Sequence, residues 1–271
     1  MFTGVAEYRA LREGANRLEL EFYEVSDACF DYHGRNRHPF HRLFAVVEGD
    51  GGSTIFSHTL NSEVVMLPGR VCFMTAGNDL EFHFRSGTRF YAFHFGLACG
   101  GIDIFTGADM LDFRDGRSDF ITAIAPLFAR EADPSALCVL KGMVLREVAA
   151  FLVGRPFPDA ELARLRPALD FIRNHAVAGT TVTELAELCN CSADSFSRSF
   201  SRQTGISAKR WLNRELARRA GRLLRGSDLR IKEIAAELGF DDVAYFSRFF
   251  RRETGVPPTQ FRLHPERNGR R

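Results

Sequence analysis

FSRSFSRQTG at residues 196–205 and FSRFFRRETG at residues 246–255 are identical at seven of ten positions. The similarity extends upstream, where Leu185-Ala186 pairs with Ile234-Ala235 at an offset of 49 residues instead of 50, so one copy has an extra residue in its turn. A repeat at a fixed spacing indicates a duplicated supersecondary unit. The C-terminal part of the chain is therefore expected to contain one small helical motif twice.

The first copy predicts two helices joined by a tight turn. Thr183 is expected to cap a short helix that runs to Leu188, and Ser192 to cap a second helix over residues 193–203.

The second copy repeats this plan with a clearer turn. A helix over residues 231–238 is expected to end at Gly239, and Asp241 or Asp242 to cap a helix that runs to Arg252. The two helix-turn-helix units therefore cover about 183–203 and 231–252, with a long helix at about 207–224 between them.

The second helix of each unit is amphipathic. Phenylalanines four residues apart predict a buried face, at Phe196 and Phe200 and again at Phe246 and Phe250. The opposite face is small and polar near its start and basic toward its end. Such a helix suits a DNA major groove, because small side chains allow close approach and arginine can bind guanine through two hydrogen bonds.

Charge is distributed unevenly along the chain. Residues 1–159 contain 15 Lys and Arg against 21 Asp and Glu, whereas residues 160–271 contain 21 against 13. The net charges are therefore −6 and +8, which give the +2 of the whole chain. A basic C-terminal part predicts contact with a polyanion.

The C-terminal pattern resembles the AraC/XylS family of bacterial transcription regulators over about residues 165–263, most specifically in IAAELGFDDVAYFSRFFRRETGVPPTQFR. The resemblance implies that both second helices enter successive major grooves of double-stranded DNA. The base-reading positions it implies are Asp194, Ser197, Arg198, Val243, Ala244, Ser247 and Arg248. Residues expected to contact phosphates are Ser201, Arg202, Arg251 and Arg252. The first unit departs from the family at Asn190-Cys191, where glycine is common, and Asp194 equally fits a charge that stabilises the helix dipole.

The N-terminal part shows a β pattern from Asn16 to about Phe95. Short alternating runs, the first at residues 18–22, are separated by turn sequences such as GDGG at 49–52. Together with the resemblance, this predicts an antiparallel cupin-like or jelly-roll-like barrel followed by helices over 118–131 and 135–153. The predicted fold class is thus α+β with two domains. The predicted boundaries are 1–155 for the barrel, 156–163 for a linker and 164–265 for the DNA-binding domain.

The resemblance also implies a small-molecule effector in the barrel. The candidate effector-binding residues are His38, His41, Arg42 and His94, although surface residues near strand ends fit each position equally well. A cupin metal site looks incomplete, because its last histidine would align with Leu80, which cannot ligate a metal. No metal and no cofactor are therefore expected.

The remaining expectations concern partners and location. No apolar segment approaches the length of a membrane helix and no secretory signal is visible, so a cytoplasmic protein is expected. The expected partners are DNA, an unidentified effector, a second copy in a homodimer and RNA polymerase, and no enzymatic activity is expected. Two alternatives stay open: a ligand-independent dimeric regulator, and a cupin-type metalloenzyme fused to a DNA-binding domain. A redox role for Cys189 and Cys191 is also open, although reduced thiols are the simpler interpretation.

Overall fold

A computed structural model of the 271-residue chain describes residues 18–99, 102–105, 108–128, 133–153 and 162–263. Within these ranges the chain forms ten strands and nine helices, with the strands in the N-terminal part. The predicted linker at 156–163 lies outside the described residues as far as residue 161, and a helix begins at Leu162.

Two antiparallel sheets form the N-terminal domain, called here the β domain. The strands are β1 (Leu18–Ala28), β2 (Tyr32–Asn36), β3 (His41–Glu48), β4 (Thr54–Ser57), β5 (Ser62–Val65), β6 (Val71–Met74), β7 (Leu80–Phe84), β8 (Arg89–Cys99), β9 (Ile102–Asp103) and β10 (Leu111–Arg114). The larger sheet has the order β1-β8-β3-β6-β10, with β9 on β8, and the smaller has the order β2-β7-β4-β5. Strand β2 covers Tyr32–Asn36 because this is the segment in register with β7. Strands β9 and β10 were not predicted.

Side chains of the two sheets share one core, and the larger sheet also has a second buried face. Strand β8 shows why, since Phe90 and Ala92 point toward the smaller sheet while Tyr91, Phe93 and Phe95 point away from it. Helices α1 (Ser118–Phe128) and α2 (Pro134–Ala150) cover this outer face. On α2 the apolar side chains of Leu140, Val144 and Val148 are buried there, whereas Leu137 is 46% exposed.

Seven helices follow in the C-terminal domain. They are α3 (Leu162–Asn174), α4 (Val182–Leu188), α5 (Ala193–Thr204), α6 (Ala208–Gly226), α7 (Ile231–Glu237), α8 (Val243–Thr254) and α9 (Pro258–Leu263). The predicted pairs of phenylalanines on α5 and α8 are fully buried, which confirms the buried face of each helix. The predicted cap at Thr183 is wrong. The cap is Thr181, whose side chain accepts from Glu184 N while Glu184 reaches back to Thr181 N.

The two helix-turn-helix units have the same local geometry despite different turn residues. Asn190 has φ 52° in the first unit, where Gly239 has φ 75° in the second. In each turn the amide three residues after the end of the helix bonds back to an alanine carbonyl, from Cys191 to Ala186 at 3.1 Å and from Phe240 to Ala235 at 2.9 Å. Asparagine tolerates the left-handed conformation better than most residues do. The first unit therefore keeps its turn without glycine.

The β domain and the helical domain are in contact. Arg37 N donates to Thr254 O at 2.7 Å, and Phe40, from the segment before β3, is fully buried in the core of the helical domain. Among the described helices, none combines the length and the apolar character needed to cross a membrane.

Candidate functional site

The first predicted recognition helix, α5, presents the expected face to solvent. Asp194 and Arg198 are exposed and Ser197 is half-buried, on the side opposite the buried Phe196 and Phe200. Ser192 caps the helix by accepting from Ser195 N, as predicted. The three predicted base-reading residues of this unit therefore share one accessible helix face.

The second predicted recognition helix, α8, is arranged in the same way. Asp242 is its cap, accepting from Ala244 N at 2.9 Å and Tyr245 N at 3.1 Å. Val243 and Ala244 are exposed at its start, and the Arg248 side chain is 70% exposed one to two turns later. Ser247 is half-buried and donates to Val243 O at 2.9 Å, so its hydroxyl oxygen is left to accept. This helix thus offers a small apolar start and the exposed guanidinium of Arg248, which lies 3.8 Å from Asp242 Oδ2. These groups suit a thymine methyl and a guanine edge.

The residues predicted to contact phosphates are all exposed, but they differ in their present contacts. The exposed side chains are Ser201, Arg202, Arg251 and Arg252. Arg252 pairs with Glu253 at 2.9 Å and lies 5.4 Å from the centre of the Phe249 ring. It also lines a cleft between the domains, so it is the member of this set that already faces the β domain.

The four predicted effector residues are all buried, and strand geometry divides them. On β3, His41 and Arg42 are neighbours, so they point to opposite faces of the larger sheet. Arg42 points toward the smaller sheet, as does His94 from β8, its partner in register. His38, Arg42 and His94 line one cleft, whereas His41 lines another.

The inner cleft, lined by His38, Arg42 and His94, opens between the two sheets and the last helix. It encloses about 550 Å³, part of it open to solvent. The ring-bearing side chains around it are Phe30, Tyr32, Phe44, Phe82, Phe84 and Phe261. The Arg42 guanidinium lies 4.6 Å from the centre of the Phe82 ring and donates to Asn36 Oδ1 at 3.0 Å. The cleft thus combines an aromatic wall with a buried cation, as small-molecule sites commonly do.

Arg225 of α6 contacts three of the residues that line this cleft, His38, His94 and Phe261. Its guanidinium pairs with Glu24 of β1 and lies within hydrogen-bonding distance of His94 Nδ1, at 2.9 Å, and His38 Nε2, at 3.0 Å. It also lies 4.5 Å from the centre of the Phe261 ring. Burial lowers the pKa of His94 to about 4, although Glu24 opposes this shift, so the ring is neutral at neutral pH. A neutral His94 can accept from Arg225 through Nδ1.

The outer cleft, which His41 lines, lies on the other face of the larger sheet and encloses about 890 Å³, part of it open to solvent. His41 Nδ1 accepts from Ala76 N at 3.0 Å, so Nε2 carries the proton that is donated to Asp103 at 2.8 Å. Burial would raise the pKa of Asp103, but the hydrogen bond from His41 and the charge of Arg218 hold that pKa below its usual range. Both ring nitrogens of His41 therefore already have partners within the β domain.

A family model for a helix-turn-helix domain matches residues 185–264. This range contains both units, with their buried phenylalanine pairs and exposed opposite faces. The C-terminal domain belongs to the AraC family. The prediction from the repeated motif is therefore confirmed.

Curated relatives of this AraC-family domain are named as transcription regulators. The activator RhaS of Klebsiella pneumoniae (strain 342) is 35% identical over 100 residues, which are 37% of this chain and 36% of that protein. The arabinose operon regulatory protein of Salmonella typhimurium is 29% identical over 134 residues, 49% of this chain and 47% of that protein. The chain thus spans about a third to a half of the length of these relatives.

A solved structure extends the similarity of the fold to both domains. The wild-type ToxT of Vibrio cholerae strain SCE256, described as bound to unsaturated fatty acid, matches with a TM-score of 0.63 and 11% identity. The match covers 91% of this chain and 95% of that one. The predicted two-domain α+β fold, with antiparallel sheets before an AraC-type helical domain, is confirmed.

Several residues at the clefts were not predicted, although some had a visible signal. Arg210, Arg214 and Arg218 recur every four residues on α6, a spacing that places them on one helix face. Glu24 gave no such signal, because its partner Arg225 comes from the other domain.

The remaining candidates from the sequence are a metal site and the cysteine thiols. No group of three or more His, Cys, Asp or Glu among the described side chains could hold a metal ion. All six cysteines are free thiols, and burial raises the pKa of Cys189, which disfavours its thiolate.

Proposed function

We propose that this protein is a sequence-specific DNA-binding transcription regulator controlled by a small molecule. The observation that carries the proposal is the pair of recognition helices, each with a buried phenylalanine face and an exposed face bearing an arginine. Joined by α6, the two helices would enter successive major grooves. Arg198 and Arg248 would read bases, and Arg202 and Arg251 would neutralise phosphates.

The effector is proposed to bind in the inner cleft. Aromatic rings form most of its wall, and Arg42, His38 and His94 supply the polar groups. This lining favours a largely apolar organic molecule that carries one hydrogen-bond acceptor or anionic group. The unsaturated fatty acid bound to ToxT has this character, but the proposed class rests on the side chains of this chain.

The position of the inner cleft suggests how an effector would act on DNA binding. Its walls include Val256, Gln260 and Phe261 of the helical domain, so an occupant would contact both domains. The Phe261 ring stacks on His38 with centroids 5.0 Å apart, and Arg225 joins the same cluster. An effector can favour either the arrangement in which this cluster is intact or one in which it is broken. The equilibrium between the two domain arrangements would then shift by the difference between the affinities of the effector for them.

The proposal includes a homodimer that presents four recognition helices to two half-sites, contact with RNA polymerase, and a cytoplasmic location without enzymatic activity. The ligand-independent regulator is the main alternative. It predicts that no compound stabilises the protein through the inner cleft. A thermal-shift screen of small organic acids, repeated with Arg42→Gln, distinguishes the two, because an effector bound to Arg42 would stabilise only the wild type.

The experiment that tests the DNA-binding proposal is fluorescence anisotropy on DNA from the region upstream of the gene, against scrambled DNA of the same length, over a salt series. We expect tighter binding to the upstream DNA and a steep loss of affinity with salt, because phosphate contacts release counterions. If residues 160–271 showed no preference even after selection from random DNA, the proposal would be wrong.

A further inference from the structure

The outer cleft is independent of the inner cleft, since the larger sheet separates them. Its β-domain wall includes His41, Gly77 and Asp103, and its helical wall is formed mainly by one face of α6. The indole of Trp211, the only tryptophan of the chain, lies on this helical wall. The cleft is thus a second space shared by the two domains.

Positive charge is in excess around the outer cleft. Its walls contain five arginines, Arg37, Arg210, Arg214, Arg218 and Arg252, and three carboxylates, Asp103, Glu215 and Glu253. Each carboxylate already has a cationic or histidine partner. Asp103 pairs with His41 at 2.8 Å, Glu215 with Arg218 at 3.3 Å, and Glu253 with Arg252 at 2.9 Å.

Arg210 and Arg214 are the members of the set that lack such a partner. Within the described part of the chain, no hydrogen bond or ion pair engages either guanidinium. Arg210, one turn earlier on α6, is exposed and adds a like charge. Burial, followed by the charge of Arg210, lowers the pKa of Arg214, although the charges of Asp109, Asp103 and Glu253 partly oppose this shift. An anion beside Arg214 would therefore relieve an unfavourable electrostatic environment.

The guanidinium of Arg214 is also held in place from one side. It packs against the backbone of Gly77, where a Cβ atom would lie only 3.1 Å from the central carbon of the guanidinium. Gly77 has φ 77° and donates its N–H to His38 O at 2.8 Å, so the turn that supports Arg214 is itself anchored. A preorganised guanidinium loses less conformational entropy when it binds an anion.

We propose that the outer cleft is a second ligand site, which binds a small organic anion with its carboxylate or phosphate group between Arg210 and Arg214. The apolar part of the ligand would lie against Trp211 and Phe105, which border the cleft with Pro39. Such a ligand would touch the β domain, at Pro39 and Phe105, and the bridging helix α6 together. It would therefore stabilise the arrangement in which the two domains are packed.

The test is a titration of the full-length protein, without DNA, followed through the fluorescence of Trp211 and by calorimetry. The probes are benzoate, phenyl phosphate and inorganic phosphate, with benzamide as the neutral analogue of benzoate. We expect saturable binding of an aromatic anion, no binding of benzamide, and about tenfold weaker binding to Arg214→Gln, because a charge-assisted hydrogen bond is lost. Comparing benzoate with phenyl phosphate shows which anionic group is preferred.

Matched variants locate the binding. Arg214→Lys should recover part of the affinity, and Arg210→Gln should weaken binding if Arg214→Gln does not fold. Arg164→Gln changes an exposed arginine on α3 and should bind the aromatic anion as the wild type does. Equal affinity of wild type and Arg214→Gln would overturn the proposal. So would a lower salt slope of DNA binding in Arg214→Gln without any effect on the anions, since the charge would then serve DNA.

Discussion

The helical domain has two basic surfaces, which differ in what surrounds their arginines. On the side that faces the β domain, Arg173, Arg222 and Arg225 are paired with Glu19, Glu21 and Glu24 of β1. On the recognition helices, Arg198, Arg248 and Arg251 are exposed to solvent. The same residue type therefore holds the domains together on one surface and is available to DNA on the other.

The net charge of the C-terminal part overestimates the positive charge that is available to DNA. The net −6 of residues 1–159 and +8 of residues 160–271 predict a polyanionic partner for the C-terminal part. Part of that positive charge is compensated by the acidic β1 strand, so a residue count overestimates the charge that faces DNA. The exposed arginines of α5 and α8 are the better measure.

The largest effect is expected from removing a buried contact on the β-domain side. Arg225→Gln leaves Glu24 and His94 without their guanidinium in a buried cluster, and we expect it to lower the free energy of unfolding by about 3 kcal/mol. Denaturant unfolding measures this loss. Arg164→Gln, an exposed arginine on α3, is the control and should change stability by less than about 0.5 kcal/mol. Equal stability of the two variants would mean that the cluster around Arg225 does not stabilise the fold.

The same cluster should make stability depend on pH. His94 has a pKa lowered to about 4 in the folded protein, chiefly by burial, and it faces Glu24, Arg42 and Arg225. The unfolded chain, with an ordinary pKa of about 6.5, binds the proton first as the pH falls. Stability contributed by neutral His94 is therefore present above pH 6.5 and lost between about 6.5 and 4.

At pH 5 this loss is expected to reach about 2 kcal/mol relative to pH 7, as measured by urea unfolding at both values. His94→Gln should have a smaller difference between the two pH values. A wild-type stability that is unchanged from pH 7 to pH 5 would contradict the assignment.

A smaller effect is expected on the DNA-facing side, where local contacts stabilise the supporting helices. Thr181→Ala removes the cap of α4 and should cost about 1 kcal/mol of unfolding free energy. Thr183→Ala, two residues later and inside the helix, should have almost no effect. Thermal denaturation of the two variants measures the difference, and a larger loss in Thr183→Ala would show that the cap is misassigned.

The features that could be predicted from the sequence are those that appear as a repeated segment or as a regular spacing of residue types. The duplicated segment revealed both helix-turn-helix units, and the paired phenylalanines revealed which face of each recognition helix is buried. The sequence could also have predicted that His41 and Arg42 line different clefts, because neighbouring residues on a strand point to opposite faces of the sheet.

The contacts between domains could not be predicted in this way. The pairing of Arg225 with Glu24 depends on how the domains pack, and neither residue differs locally from other charged residues. The cap at Thr181 was missed for another reason. Thr181 and Thr183 are both suitable capping residues, and their order along the chain alone does not decide between them.

The most direct test of the central claim compares one arginine from each surface in the DNA-binding assay. Arg248→Ala should cost about 1–3 kcal/mol on the specific DNA and reduce the preference over scrambled DNA. Arg222→Ala, on the surface that faces β1, should leave both the preference and the salt slope unchanged. If Arg222→Ala lowered the salt slope while Arg248→Ala bound and selected DNA like the wild type, the assignment of the two surfaces would be wrong.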